Sequence, residues 1–424
     1  MYRQIKFSNG LKLIIAPQNK TKVVTILILL SVGSRYEPNN LNGASHFIEH
    51  MMFKGTLRRP DSLSIAKELD GLGAEYNAFT GKEYTGYWIK ITKERAEIAF
   101  DVLSDMLFNS VFKKEEFEQE RGVILEESKM YKENPFLYID DLFESSLYFN
   151  HNLGKLIIGE ENDVRKMNRE GLLKYKKMFY LPGQMVMAVA GEIEEDKIIK
   201  LVNRYFGCQK NKKKNNEFKL FLPAKKSKNR VNIAFKKNLK QAQIALGGLS
   251  YPYNHPNIEA LRLLLIILGG NMSSRLFIEV RVKRGLAYTV NADLRAYRDI
   301  GNYGIFAGID KDRTKEAIEV ILNELNKIKK FGVTEEELIR AKNYTDGSLK
   351  LQMENSANLA KWYAEQSLFA KKISTPEEKI KQVRRVTGED IKKIANQLFS
   401  KKTLVIIGPF KDKKPFSRIL EKKV

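Results

Sequence analysis

The sequence predicts an α+β fold made of two related domains, and three observations carry that reading. Strand-like and helix-like segments alternate through the first quarter of the chain, and the same order returns in the second half. The 424 residues, 43% of them hydrophobic and 29% charged, are globular in composition and too many for one typical domain.

Each element has its own local reason. A turn at Asn9-Gly10 leads into a strand over 11–16, and a polar turn near Asn19 leads into a strand over 23–32. Pro60, Asp61 and Ser62 form an entry signal for a helix over 63–69, which Gly71 and Gly73 stop. Residues 76–91 read as two strands about a turn at Gly81 and Lys82, followed by a helix from about 94 to 107. Ile91-Thr92-Lys93-Glu94-Arg95 is echoed by Ile309-Asp310-Lys311-Asp312-Arg313 at an offset of 218, and Glu115-Glu116-Phe117 by Glu336-Glu337-Leu338 at an offset of 221. Two matches at nearly one offset point to a duplicated domain. Aligning Lys54-Gly55 with Gly269-Gly270 puts leucines of the second copy opposite His46, Glu49 and His50. The lysine- and asparagine-rich stretch 210–216 is the linker candidate, which divides the chain into 1–210, a linker over 211–222, and 223–424.

Composition narrows the function. The net charge of +23 comes from lysines spread along the whole chain, without interleaved aromatics or a phosphate-cradling glycine loop, so it reads as a solvated basic exterior and not as a nucleic-acid surface. Cys208 is the single cysteine, which excludes an internal disulfide framework and fits a reducing compartment such as the bacterial cytoplasm. No secretory signal pattern follows Met1, and the apolar runs 23–32 and 261–268 are far too short to span a membrane.

Residues 46–50 read His46-Phe47-Ile48-Glu49-His50. On a helix, positions i and i+4 stand one above the other, so both imidazoles can reach one cation, and Glu49 sits on nearly the same face, where it can act as a base toward water. This spacing also occurs in solvated surface pairs. Here, however, Phe47, Ile48, Met51, Met52 and Phe53 make the helix apolar almost all round, so the ionisable groups should be largely buried and in need of partners or a metal. Two of the chain's four histidines lie in this segment.

Catalytic zinc usually takes three protein ligands. The acidic segment 114–133 offers the third. With Glu120 as reference and about 100° per residue, Phe117, Val123, Ile124, Glu127 and Tyr131 fall within roughly 60° of it, while Glu126 points away. Either Glu127 or Glu120 is then the ligand, and the other is a supporting carboxylate.

His46-Phe47-Ile48-Glu49-His50 followed by a glutamate 77 positions after His50 resembles the pitrilysin/insulinase-type zinc metallopeptidases, the inverted-zincin family. The half-length form is similar to the beta subunit of mitochondrial processing peptidase and to bacterial processing proteases. Asn77-Ala78-Phe79-Thr80 is similar to the family's edge strand, and the segment from Arg281 to Tyr288 resembles its Arg/Tyr segment.

The resemblance implies a role for each of these residues. Glu127 would be the third ligand beside His46 and His50, Glu120 its support and Glu49 the general base, with one zinc ion per subunit. Asn77, Ala78 and Phe79 would bind substrate as an added strand, with Phe79 near the cleaved bond, and Arg281 and Tyr288 would bind substrate and the tetrahedral intermediate. It further implies largely antiparallel sheets packed with helices, two domains forming one half of a clamshell, and a zinc-binding first domain followed by a second that lacks the ligands. The expected activity is zinc-dependent endopeptidase cleavage of unstructured peptides in a closed chamber, by a homodimer whose sites are completed in trans. A non-catalytic scaffold or partner subunit is the alternative.

Overall fold

The computed structural model of the chain describes residues 2–18, 21–209, 218–223 and 230–422. The first half runs β1 (Arg3–Lys6), β2 (Lys12–Pro17), β3 (Val23–Leu30), α1 (Ala44–Met52), α2 (Ser62–Asp70), β4 (Glu75–Thr80), β5 (Thr85–Thr92), α3 (Ala96–Asn109), α4 (Lys114–Glu133), α5 (Pro135–Leu147), α6 (Glu161–Lys166), α7 (Arg169–Phe179), β6 (Met185–Gly191) and α8 (Glu195–Phe206). The second half runs β7 (Arg230–Phe235), β8 (Gln241–Ser250), α9 (Ile258–Gly269), β9 (Ala287–Ala296), β10 (Gly301–Asp310), α10 (Thr314–Phe331), α11 (Glu335–Met353), α12 (Ser356–Phe369), α13 (Pro376–Arg384), α14 (Gly388–Leu398), β11 (Thr403–Gly408) and α15 (Lys414–Glu421). Apart from β1, and a π-helical turn at Phe277–Val282 where the first half has α2, the two orders are the same.

The sheets repeat as well. The first has the order β1-β2-β6-β3-β5-β4 and the second β7-β11-β8-β10-β9, so that removing β1 makes them equivalent strand for strand. Each is antiparallel except for one parallel pair, β2 with β6 and β7 with β11. A hairpin closes in two residues, whereas a parallel pair needs a long crossover, and here that crossover carries most of each half's helices. The duplication expected from the two echoes is therefore present in the fold.

The chain nevertheless divides differently from the expected boundaries at 210 and 223. One compact unit comprises Met1–Lys129, Lys155–Lys219 and Lys350–Thr375, and the other Met130–Gly154, Leu220–Leu349 and Pro376–Val424. The halves exchange helices: α5, from the first half, packs on β8 and β11, and α12, from the second, packs on β3 and β6. Residues 211–217 of the expected linker lie outside the described residues.

This exchange explains why β3 is apolar on both faces apart from Thr25, whose hydroxyl meets that of Ser356 in α12 at 2.8 Å. Val24, Ile26 and Ile28 face one core with α1, α3 and α7, while Leu27 and Leu29 face a second core with Ile14, Val186 and Ala188 under Leu359, Ala360 and Tyr363 of α12. A strand covered on both faces has no polar side to show. In the other unit, Ile244 and Leu246 join the α9 core, and Ala245 joins Val405 and Ile407 under Phe143 of α5.

Candidate metal centre

Helix α1 begins at Gly43, whose φ of +94° favours glycine, and an added Cβ there would lie 2.7 Å from the carbonyl oxygen of Ile158. Asp61 caps α2 as its sequence signal implied, accepting from the Ser64 N–H at 2.7 Å. The opening N–H groups of α1 are met by a residue from a preceding loop. Glu37, fully buried, accepts from the backbone N–H of Gly43 and of Ser45, each at 2.7 Å. Burial pushes its carboxyl up to about 7, against the hydrogen bonds that would lower it.

Helices α1 and α4 are locked in phase by Phe47 stacked on Phe117, with ring centroids 4.8 Å apart. In this phase His46 Nε2 lies 3.8 Å and His50 Nε2 3.6 Å from Glu127 Oε2, and the three potential ligand atoms fall within 4.8 Å of one another. Neither imidazole reaches hydrogen-bonding distance of this carboxylate oxygen. Buried Glu127 Oε2 and His46 Nδ1 have no hydrogen-bond partner among the described residues. Ligands about 2.0–2.2 Å from a tetrahedral zinc stand roughly 3.3–3.6 Å apart, so the spacing and the orphaned oxygen both fit such an ion.

Glu120 and Glu127, which helix periodicity leaves tied, meet different imidazole nitrogens. Glu120 Oε2 contacts His50 Nδ1 at 3.0 Å and Glu120 Oε1 pairs with Lys54 Nζ at 2.6 Å, so Glu120 supports an imidazole whose Nε2 stays available. Burial opposes ionisation of Glu120, but the bonds from His50 and Lys54 outweigh it and hold the carboxyl below its usual range. Burial alone would lower His50, yet the Glu120 bond and the surrounding carboxylates leave it raised. Burial takes His46 down to about 3, which keeps the imidazole neutral and able to ligate. Glu127 is raised by burial, with His50 opposing.

The side chains of His46 and His50, 13% and 22% exposed, are largely buried as expected, and the apolar residues of α1 face the core and leave this side partly open. One expectation about burial changes. On α4 the buried residues are Phe117, Glu120, Ile124, Leu125 and Ser128, and Val123 is 46% exposed. The buried stripe is thus centred about 60° round from Glu120, which places Glu120 and Glu127 at its rim. Glu126 is 73% exposed and pairs with Lys129, as the helix phase predicts.

Glu49 accepts a hydrogen bond from Thr80 Oγ1 at 2.5 Å. Burial raises its carboxyl, partly offset by Thr80 and by His50. Thr80 ends β4, which is the edge of its sheet. Asn77 Oδ1 accepts from the Ala78 N–H at 2.8 Å. The Phe79 ring lies on the opposite face of the strand from Thr80, against Tyr84 in the core under α12, because alternate residues of a strand face opposite ways. Arg281 and Tyr288 belong to the other unit. The π-helical turn brings the Arg281 guanidinium 4.9 Å from the exposed Tyr288 ring. Sequence reasoning missed Glu37, Lys54 and the partnership of Thr80 with Glu49. Only Thr80 had a signal, as the last residue of the edge-strand segment.

The family model described as Insulinase (Peptidase family M16) matches residues 13–161, and that described as Peptidase M16 inactive domain matches residues 166–345. The chain is 35% identical to an uncharacterized zinc protease of Bacillus subtilis over 96% of this chain and 98% of the relative. The chain belongs to peptidase family M16. An uncharacterized zinc protease of Rickettsia felis is 36% identical over 95% of this chain and 97% of its own. Among solved structures, a protease from Helicobacter pylori superposes with a TM-score of 0.91 at 23% identity, covering 96% of this chain and 99% of that one. A peptidase M16 inactive domain from Pseudomonas fluorescens gives 0.89 at 19% identity, covering 97% and 98%. These two likenesses support the fold. No helix among the described residues is long and apolar enough to cross a membrane.

Proposed function

We propose that this M16 chain is a zinc-dependent endopeptidase acting on unstructured peptides in a closed chamber in the cytoplasm. The observation that carries the reading is the convergence of His46 Nε2, His50 Nε2 and Glu127 Oε2, with Glu49 on the same helix face. The names of its relatives as zinc proteases support zinc as the ion, one per subunit. Bound zinc supplies Lewis acidity that polarises the scissile carbonyl and acidifies water. Glu49 takes the proton of the attacking water and passes it to the leaving amine. An extended peptide adds beside β4 at Asn77, Ala78 and Phe79 through main-chain hydrogen bonds, so cleavage depends on backbone access more than on side-chain identity. Arg281 and Tyr288 donate to the oxyanion and the substrate backbone.

The test is zinc content together with hydrolysis of an unstructured peptide, abolished by a chelator and restored by zinc. Glu49→Gln should retain stoichiometric zinc and lose about 10²–10⁴-fold in turnover. If the substitution strips the metal, Glu49 is a ligand and the assigned roles are wrong. A zinc-loaded wild type that cleaves nothing would favour a scaffold subunit.

The same reading includes a homodimer in which Arg281 and Tyr288 of one copy serve the metal site of the other. Mixing Glu49→Gln with Arg281→Ala under subunit exchange should restore activity toward half of wild type per mixed dimer. Failure to recover any activity, with exchange verified by mass, would rule out sharing in trans.

A further inference from the structure

We infer that the Thr80 hydroxyl is a positioning group for Glu49, fixing one carboxylate oxygen so that the other is free to take the proton; this rests on the peptidase reading above. Thr80 Oγ1 donates to Glu49 Oε2 at 2.5 Å, and this is the only side-chain hydrogen bond of either residue among the described residues. Glu49 Oε1 accepts from no donor among the described residues. A short bond from a hydroxyl to a carboxylate is among the stronger hydrogen bonds, and it removes the rotation of the carboxylate about its last torsion. Because Thr80 is the final residue of β4, the strand on which substrate would be laid also sets the orientation of the base. A misplacement of about 1 Å at such a group costs on the order of 100-fold in rate.

The duplicated half is an internal control. At the offset of 218, Trp88, Tyr87 and Thr85 of β5 correspond to Phe306, Ile305 and Tyr303 of β10. Their partners across the hairpin are Asn77, Ala78 and Thr80 in the first sheet, and Asn291, Ala292 and Leu294 in the second. The asparagine and alanine recur, but the threonine becomes a leucine packed against the core. Helix α9, in the place of α1, has Glu259 and Arg262 as its only charged residues, with buried leucines through its middle. The fold therefore builds this strand end without a hydroxyl. The hydroxyl is present in the copy that has a carboxylate to hold.

The experiment compares Thr80→Val with Thr80→Ser in the zinc-loaded enzyme. Valine keeps the β-branched shape a strand favours and loses the donor, whereas serine keeps the donor and loses the methyl group. A positioning role predicts that Thr80→Val lowers kcat about 10–100-fold, with KM within about 2-fold and zinc content and Tm unchanged, while Thr80→Ser stays within about 3-fold of wild type. A packing role predicts the reverse order. On a Glu49→Gln background, Thr80→Val should lower the residual rate no further, since the group it positions is already lost. Thr80→Ala carries the same comparison should valine disturb the strand. Full kcat in Thr80→Val, or equal loss in valine and serine variants of an active enzyme, overturns this inference and leaves the peptidase reading standing. A zinc-loaded wild type without activity overturns both.

Discussion

Helices α1 and α4 and helices α9 and α11 occupy equivalent places in two repeats of one strand order, and they spend those places differently. Where α1 and α4 bring two imidazoles and the carboxylates of Glu49, Glu120 and Glu127 to a half-open face, α9 packs Leu261, Leu264 and Leu265 into a core. At the offset of 221, Glu120 and Glu127 correspond to Ala341 and Ser348 of α11. The apolar copy shows what this architecture requires for stability alone. The difference between the copies isolates what the first has added: polar groups that would be costly to bury unless a ligand or a partner meets them.

The most severe way to erase the difference is to make α1 resemble α9. His50→Leu should abolish zinc binding and with it all peptide hydrolysis, while the melting temperature of the metal-free chain holds or rises. Leu264→Ala in α9 should do the opposite, costing about 2–5 kcal/mol of stability with zinc content per folded chain unchanged. Metal analysis and thermal unfolding of both variants decide it, and zinc retained by His50→Leu would break the comparison at its root.

A smaller effect sharpens the phase of α4. Glu127→Gln should weaken zinc affinity by at least about 100-fold, and Glu126→Gln, one residue and about 100° round the helix, should change it by less than about 2-fold. Competition with a chromogenic chelator measures both. Equal loss would mean that the ligand is not chosen by helix phase.

The smallest effect concerns the cap on α1. The Glu37 carboxyl titrates near 7 in the folded chain and near 4.5 when unfolded, so the folded state binds its proton more tightly. Its contribution to stability is fully present below about 4.5 and is lost as pH rises through about 7. With zinc removed, Glu37→Gln should gain on wild type by roughly a few degrees of Tm between pH 5 and pH 8. A Tm difference that does not vary with pH would show that burial does not control this carboxyl.

Local chemistry was the legible part of this molecule. The Asp61 cap, the edge hairpin, the α4 phase that separates Glu127 from Glu126, and the two echoes at 218 and 221 all follow from neighbours within a few residues. Long-range choices were not legible. An amphipathic helix reads the same whichever sheet it covers, so nothing in 135–147 or 356–369 announces that α5 and α12 cross to the other half's sheet. Glu37 reaches α1 from a loop with no periodicity to mark it. Helix phase left Glu120 and Glu127 tied, because both lie at the rim of one stripe, and only the imidazole atoms each one meets tell them apart.

The exchanged helices bear on how the chain is made. When β6 leaves the ribosome the first sheet has all its strands, yet Ile14, Leu27, Leu29, Val186 and Ala188 have no cover until α12 is synthesised. At about 5–20 residues per second that delay is roughly 10–35 s, long enough for a nascent chain to display a flat apolar surface to chaperones or to its neighbours. The first sheet therefore waits for a helix made late, whereas α5, the cover of the second sheet, is made before any strand of it, and late translation finishes a domain begun near the start of the chain.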